Sequence, residues 1–176
     1  SQMKRFYDAV KAQLPVFGRR AEDCHILTAI MPFVAATRAE AERKRDAHNA
    51  LVHPLVGLST LASHSNIDFS QHQLDVPLAN VHASGTQRLF AAVMRLTQEQ
   101  GLTLREIGTL YGRGVLVPQI AGTAAEVANY MQAIIEAEAS DGFVISPAFL
   151  PDSFEEFVDQ VVPELQRRDI FRKEYT

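Results

Sequence analysis

The chain has 176 residues, 47% of them hydrophobic, and a formal net charge of −4. This length suits one domain and this apolar content excludes intrinsic disorder, while the absence of a basic block excludes the usual electrostatic footprint of nucleic-acid binding. The longest apolar run, Ile26 to Ala36, is too short for a membrane span, and the opening Met3 to Gln13 is charged and amphipathic rather than a signal sequence.

Met3, Phe6, Tyr7, Val10 and Leu14 recur at helical spacing and predict a first helix, ended by Pro15 and Gly18. Cys24 is the single cysteine, which excludes an intrachain disulfide and fits a reducing, cytoplasmic setting. It reads as a small residue at a strand entry rather than a reactive thiol. Ile26 to Ala36, nearly continuous in apolar residues, predicts a strand covered on both faces, as in a parallel sheet. Pro32 cannot donate to a ladder and is expected near a bulge or late in that strand. Thr37 to Glu40 has the spacing of a capping box. The charged helix after it runs to about Leu51, with Glu40 and Lys44 placed for an i, i+4 pair.

Residues 53 to 83 hold four of the six histidines and little periodicity. Leu55, Leu58 and Leu61 predict one short helix, and Ile67 to Asn80 an extended loop; the region from about 53 to 112 reads as an insertion on a scaffold. A helix is expected from Ser84 or Thr86, with Leu89, Val93 and Leu96 inward, stopped by Gly101. Thr103 to Glu106 is a second capping box.

Val115 to Ala121 predicts the second strand, with Gly122 as its turn and Thr123 to Glu126 as a third capping box. The helix behind it would bury Val127, Met131, Ile134 and Ile135. Asp141 and Gly142 turn the chain into a third strand, Phe143 to Ser146. Beyond the loop Pro147 to Pro151, Ser153 to Glu156 signals the cap of a last helix, which Pro163 should kink. Apolar strands alternating with amphipathic helices make this an α/β chain of parallel βα units. An eight-stranded barrel has roughly 250 residues, so the chain would supply about three of its eight units.

The segments Ala121 to Ala128, Ala139 to Pro151, Phe154 to Arg168 and Phe171 to Tyr175, in that order and spacing, resemble the closing part of one protein group. Gly101 to Glu106 and Ile26 to Glu42 are similar to it as well. The group is the bacterial-luciferase-like flavin-dependent monooxygenases of the nitrilotriacetate monooxygenase component A type, which includes pristinamycin synthase subunits and dibenzothiophene sulfone monooxygenases. The resemblance implies the C-terminal portion, about strands six to eight, of a TIM-type (β/α)8 barrel, with residues 1–176 as one segment carrying the insertion. The first five strands and most flavin contacts would precede Ser1. It also implies a two-component enzyme that takes reduced FMN from a separate flavin reductase and uses O2 to oxidise a small organic substrate. The chain alone is expected to be inactive, and its open sheet edges imply a homo-oligomer.

In such an enzyme the flavin carries the difficult chemistry, while the protein orients it and excludes water. No triad or metal is therefore required. Barrel active sites lie at the C-terminal ends of the strands, which here means Ala36 and Thr37, Gly122 and Thr123, and Ser146 to Leu150. Gly122, Thr123 and Ser146 are the candidate cofactor contacts; Pro147, Phe149 and Leu150 are the candidate substrate wall. Against these stand plain helix capping for Gly122 and Thr123, and an ordinary strand-to-helix loop for Ser146 to Leu150. The histidines His25, His48, His53, His64, His72 and His82 lack metal-ligand spacing. Gly112 to Gly114 reads as a turn rather than a phosphate loop, and Arg167 and Arg168 as cations suited to a helix end. A non-catalytic α/β module acting only through self-assembly or partner binding remains the alternative.

Overall fold

The structure, a computed structural model, describes residues 2–77 and 87–174, without the side chains of 87–89. The chain divides into two units, one of Ser1–Arg45 with Val117–Thr176 and one of Asp46–Leu116.

The first unit is built on three parallel strands, β1 (Leu27–Val34), β2 (Gln119–Gly122) and β3 (Gly142–Ile145), in the order β2-β1-β3. Three consecutive barrel strands would put the second in the middle; here the first is central. The two partners grip different halves of β1. Met31 to Val34 pair with Gln119 to Gly122, and Leu27 to Ile30 pair with Gly142 to Ile145. This stagger explains Pro32 without a bulge. The Met31 and Ala35 amides donate to the β2 side, to Pro118 and Gly122. Alternation therefore turns position 32 toward β3, which has already ended, so no rung needs its N–H.

The second strand begins later than its apolar sequence suggests. Val115 and Leu116 have φ of 54° and 63°, outside the extended region. Both pack against the core of the helical unit instead.

Two helices cover one face of the sheet. Helix α6 (Ala124–Glu136) and the C-terminal helical run bury Val127, Ala128, Met131, Phe157, Val161 and Leu165 against Ile30 and Val34. That run is α7 (Asp152–Glu156), a π-turn (Phe157–Val161) and α8 (Val162–Arg167). The expected kink at Pro163 takes the form of this π-turn. The Val162 amide reaches five residues back to the Phe157 carbonyl, and Pro163, which has no N–H, sits in the first turn of α8 where none is needed. Ser153 does not cap α7. Its hydroxyl donates to the Phe149 carbonyl, and the residue before the helix, Pro151, makes no side-chain cap.

Helix α1 (Gln2–Lys11) ends earlier than Pro15, and Leu14 starts a separate 3-10 turn. Polar contacts clamp α1 to the sheet. Asp141 accepts hydrogen bonds from the Tyr7 hydroxyl and the Ile26 amide, both at 2.7 Å, and pairs with Lys11 at 2.8 Å. Burial pushes the Asp141 carboxyl upward, but Lys11, Ile26 and Tyr7 outweigh it and hold it at about 2.

After β1 comes α2 (Arg38–Ala50), whose Thr37–Glu40 capping box forms as expected. Lys44 does not pair with Glu40. Its ammonium donates to the Val34 carbonyl, at 2.9 Å, and to Glu156. It thereby satisfies the edge of β1 above the end of β3.

The second unit is helical: α3 (Pro54–Ser65), α4 (Gln87–Gln100) and α5 (Leu104–Gly112). The expected start of α4 at Ser84 or Thr86, with His82 and Asn80, lies outside the described residues. The stretch from Ile67 is not fully extended, because Asp68 caps a 3-10 turn at Phe69–Gln71. Leu58, Leu61, Phe90, Val93, Leu104, Ile107 and Tyr111 form its core. Helices α3 and α5 cross at glycines. A Cβ on Gly57 would lie 1.9 Å from the Gly108 carbonyl oxygen, and one on Gly108 would lie 2.3 Å from that of Pro54. Gly112, expected in a turn, ends α5 and continues this close contact.

Candidate functional site

The C-terminal ends of parallel strands are where such sheets hold ligands, because helix starts and loop amides converge there. In the first unit a cavity of about 440 Å³ opens at that end. Ala35 and Ala36 line it after β1, Thr123, Ala124 and Ala125 line it at the start of α6, and Glu164 and Arg167 line it from α8.

Thr123 is the N-cap of α6. Its hydroxyl accepts from the Glu126 amide at 3.3 Å, and the Glu126 carboxylate accepts from the Thr123 amide at 2.9 Å. The same carboxylate accepts from Arg38 at 2.8 Å. The Thr123 amide and Arg38 together hold Glu126 below the usual carboxylate range. Gly122 stands behind this box. A Cβ there would lie 2.9 Å from the Glu126 carboxylate oxygen, so the capping box itself accounts for glycine. The Ala124 and Ala125 amides belong to the first turn and have no acceptor within the helix. On the opposite wall, Arg167 and Arg168 hold the Glu164 carboxyl at about 2. Arg168 also donates to Asn129, Gln132 and the Ala125 carbonyl, which ties α8 to α6.

Ser146 directly follows the third strand, and its amide donates to the Ile30 carbonyl at 2.9 Å. It therefore sits level with Met31, whereas Thr123 sits level with Ala35. At about 3.3 Å per residue Thr123 and Ser146 are about 13 Å apart along the strands. Thr123 lines the cavity; Gly122, Ser146, Pro147, Phe149 and Leu150 do not. By strand alternation Ser146 shares the sheet face of Val144, away from the helices. Phe149 and Leu150 beyond it are 41% and 73% exposed. Of the cavity's walls, the two at Ala36 and Thr123 follow from strand ends in the sequence. Glu164 and Arg167 do not, since only the packing of α8 brings them there. Among the described residues no group of three histidine, cysteine or acidic side chains is placed to hold a metal, and no helix is long and apolar enough to cross a membrane.

No family model matches the chain. It is 43% identical over 181 residues to the dibenzothiophene-sulfone monooxygenase of Rhodococcus erythropolis, covering 98% of this chain and 39% of that protein. It is 36% identical over 175 residues to the nitrilotriacetate monooxygenase component A of Aminobacter aminovorans, with the same coverage of 98% and 39%. Two solved structures share the fold. One is a Hyphomicrobium sulfonivorans protein at TM-score 0.82 and 23% identity, over 99% of this chain and 37% of that one. The other is a riboflavin lyase with modified FMN and riboflavin, at TM-score 0.81 and 24% identity, over 99% and 38%. By sequence along nearly all of its length the chain is a homologue of the dibenzothiophene-sulfone and nitrilotriacetate monooxygenases, and it spans about two fifths of the length of these curated relatives.

Proposed function

We propose that this chain is the C-terminal part of a two-component flavin-dependent monooxygenase. The whole protein would use O2 and reduced FMN, delivered by a separate flavin reductase, to oxidise a small organic substrate, and would work as a homo-oligomer. The observation that carries this reading is identity of 36 to 43% to monooxygenases along 98% of the chain. The alternative of a non-catalytic module draws no support from these relatives, which are named as enzymes. Residues about 53 to 112 are then an insertion that follows a barrel strand.

The residues at the strand ends fit such a cofactor in part. The orphan first-turn amides of Ala124 and Ala125, beside Thr123 and opposite Arg167, suit a phosphate group, because a helix start favours an anion. The side chains named in that cavity include no aromatic ring, so they suit the phosphate end and not the flavin ring. Bound FMN would supply the reaction with O2. Gly122 would serve the site indirectly, by leaving room for the Glu126 carboxylate of the capping box through which Thr123 fixes the helix start. Ser146 would offer a hydroxyl on the inner sheet face, while Pro147, Phe149 and Leu150 would wall the substrate and keep water out.

The test is binding and turnover by the intact protein. Anaerobic titration should show reduced FMN binding, and addition of a flavin reductase should give substrate-dependent O2 uptake. Ser146→Trp in the intact protein should abolish turnover, with an unchanged melting temperature, by filling the pocket. An intact protein that binds no reduced flavin would overturn the reading. Full turnover by Ser146→Trp would remove this loop from the site.

A further inference from the structure

β3 ends level with Ile30, so Met31 to Val34 extend past it, and a side chain rather than β3 meets β1 there. By alternation the Val34 carbonyl turns to the β3 side, and the Lys44 ammonium donates to it at 2.9 Å. The same ammonium pairs with Glu156, the last residue of α7 and 112 residues along the chain. The two side chains are 35% and 26% exposed, so the pair is partly withdrawn from water and weakened less by it than a surface pair.

Helix α7 is too short to hold itself. Its five residues bury only Ser153, and Phe157 after it enters the core. Ser153 in turn holds the loop before the helix. Its hydroxyl accepts from the Phe149 amide at 3.2 Å and donates to the Phe149 carbonyl. The loop from Ser146 is thus fixed at two points, by the Ser146 amide on the Ile30 carbonyl and by Phe149 on Ser153. The first belongs to the β1–β3 ladder. The second depends on where α7 stands, and Lys44 ties the end of α7 to the end of β1.

We propose that Lys44 is a positioning residue for the candidate substrate wall, acting through Glu156 and Ser153 on Phe149 and Leu150. The proposal rests on the reading of this loop as part of a flavin monooxygenase site. Phe149 and Leu150 are 41% and 73% exposed, so packing within the chain does not fix them and their backbone must. A wall that excludes water from a bound flavin has to keep its place. An ammonium has donors enough for the strand-end carbonyl and the carboxylate together. Neither Lys44 nor Glu156 lines the cavity at the start of α6, so the hold is applied from outside it.

The test compares Lys44→Met, Lys44→Arg, Ser153→Ala and the Lys44→Met/Ser153→Ala double variant in the intact protein. Amide exchange over residues 148–150, read by mass spectrometry, reports the loop. The rate at which oxidised FMN appears, when reduced FMN bound to excess protein meets O2 without substrate, reports how well the site is closed. Lys44→Met should raise both rates on the order of 10-fold. Lys44→Arg can donate to both partners and should restore them to near the native values. The double variant should match Ser153→Ala alone, because Lys44 acts through that hydroxyl. If Lys44→Met lowers the melting temperature too far for assay, Glu156→Gln, which removes the charge and keeps an acceptor, should show the same pattern at smaller size. Native exchange in Lys44→Met, or effects of the two substitutions that add, would overturn the proposal. So would faster loop exchange with an unchanged rate of FMN oxidation. An intact protein that binds no reduced FMN, yet shows the exchange pattern, would sink the functional reading and leave the tie from Lys44 to Phe149 standing.

Discussion

Leu61, Leu104 and Tyr111 in the helical unit are at most 1% exposed, whereas Leu27, Val144 and Leu150 in the sheet unit are 49 to 73% exposed. The helical unit buries a core between helices brought close by glycines at the α3–α5 crossing, and leaves Leu51, Leu55 and Val56 exposed on its outside. The sheet unit buries one strand face under α6 and the C-terminal helices and leaves other apolar positions open. Its ends are fixed by polar clamps: Asp141 below, Lys44 and Arg168 above. Both units bury a core and leave other apolar side chains open; they differ in what holds the core, a glycine-close helix crossing in one and polar clamps at the sheet ends in the other.

Gly108→Ala should break the helical side of this comparison. The added methyl would meet the Pro54 carbonyl, forcing α3 and α5 apart at a cost of roughly 3 kcal/mol. Thermal melting followed by circular dichroism should show the helical unit lost first; an unchanged melt would mean that the crossing is not tight. The sheet unit should respond to Asp141→Asn, which removes an ion pair and weakens the bonds from Tyr7 and Ile26, by about 2 kcal/mol. Its pH dependence has a defined sign. The folded-state pKa, about 2, lies below the ordinary 3.8, so the stabilisation is complete above about pH 4 and is lost as pH falls through about 2. Denaturation midpoints between pH 2 and 6 should therefore fall steeply at the acid end in the native chain and more gently in the variant. Parallel acid limbs would remove Asp141 as the cause. The smallest effect is expected from Tyr111→Phe. It deletes only the 2.6 Å bond between the buried hydroxyl and His64, leaves the ring in the core, and should cost about 1 kcal/mol in urea titrations. A loss several times larger would show that the hydroxyl organises the helical core.

Local signals were the legible ones. The Thr37, Thr103 and Thr123 capping boxes form because hydroxyl and carboxylate lie three residues apart and need nothing distant. β1 and β3 are also recognisable as apolar runs between turns. Val115 and Leu116 are apolar and β-favouring, yet they are drawn into a left-handed conformation against the helical core, so the second strand starts at Gln119. The order β2-β1-β3 depends on pairings more than a hundred residues apart for β1 and β3, which no local pattern encodes. Lys44 had a suitable neighbour at Glu40, but Thr37 occupies that carboxylate and a strand end competes for the ammonium. The candidate site divides the same way. Thr123 and Ala36 follow from strand ends, whereas Glu164 and Arg167 join them only after α8 has folded back.

The π-turn at Phe157–Val161 can be counted as one surplus residue in the C-terminal run. Successive residues of an α-helix are about 100° apart around its axis. The wide turn takes that residue up locally, because its five residues advance about as far around the axis as four of an α-helix. Removing Asp159 would therefore let the turn relax to α-helix with Arg168 still facing Asn129 and Gln132 and Arg167 still on the cavity wall. A second deletion, with no π-turn left to take it up, would rotate both arginines while changing neither.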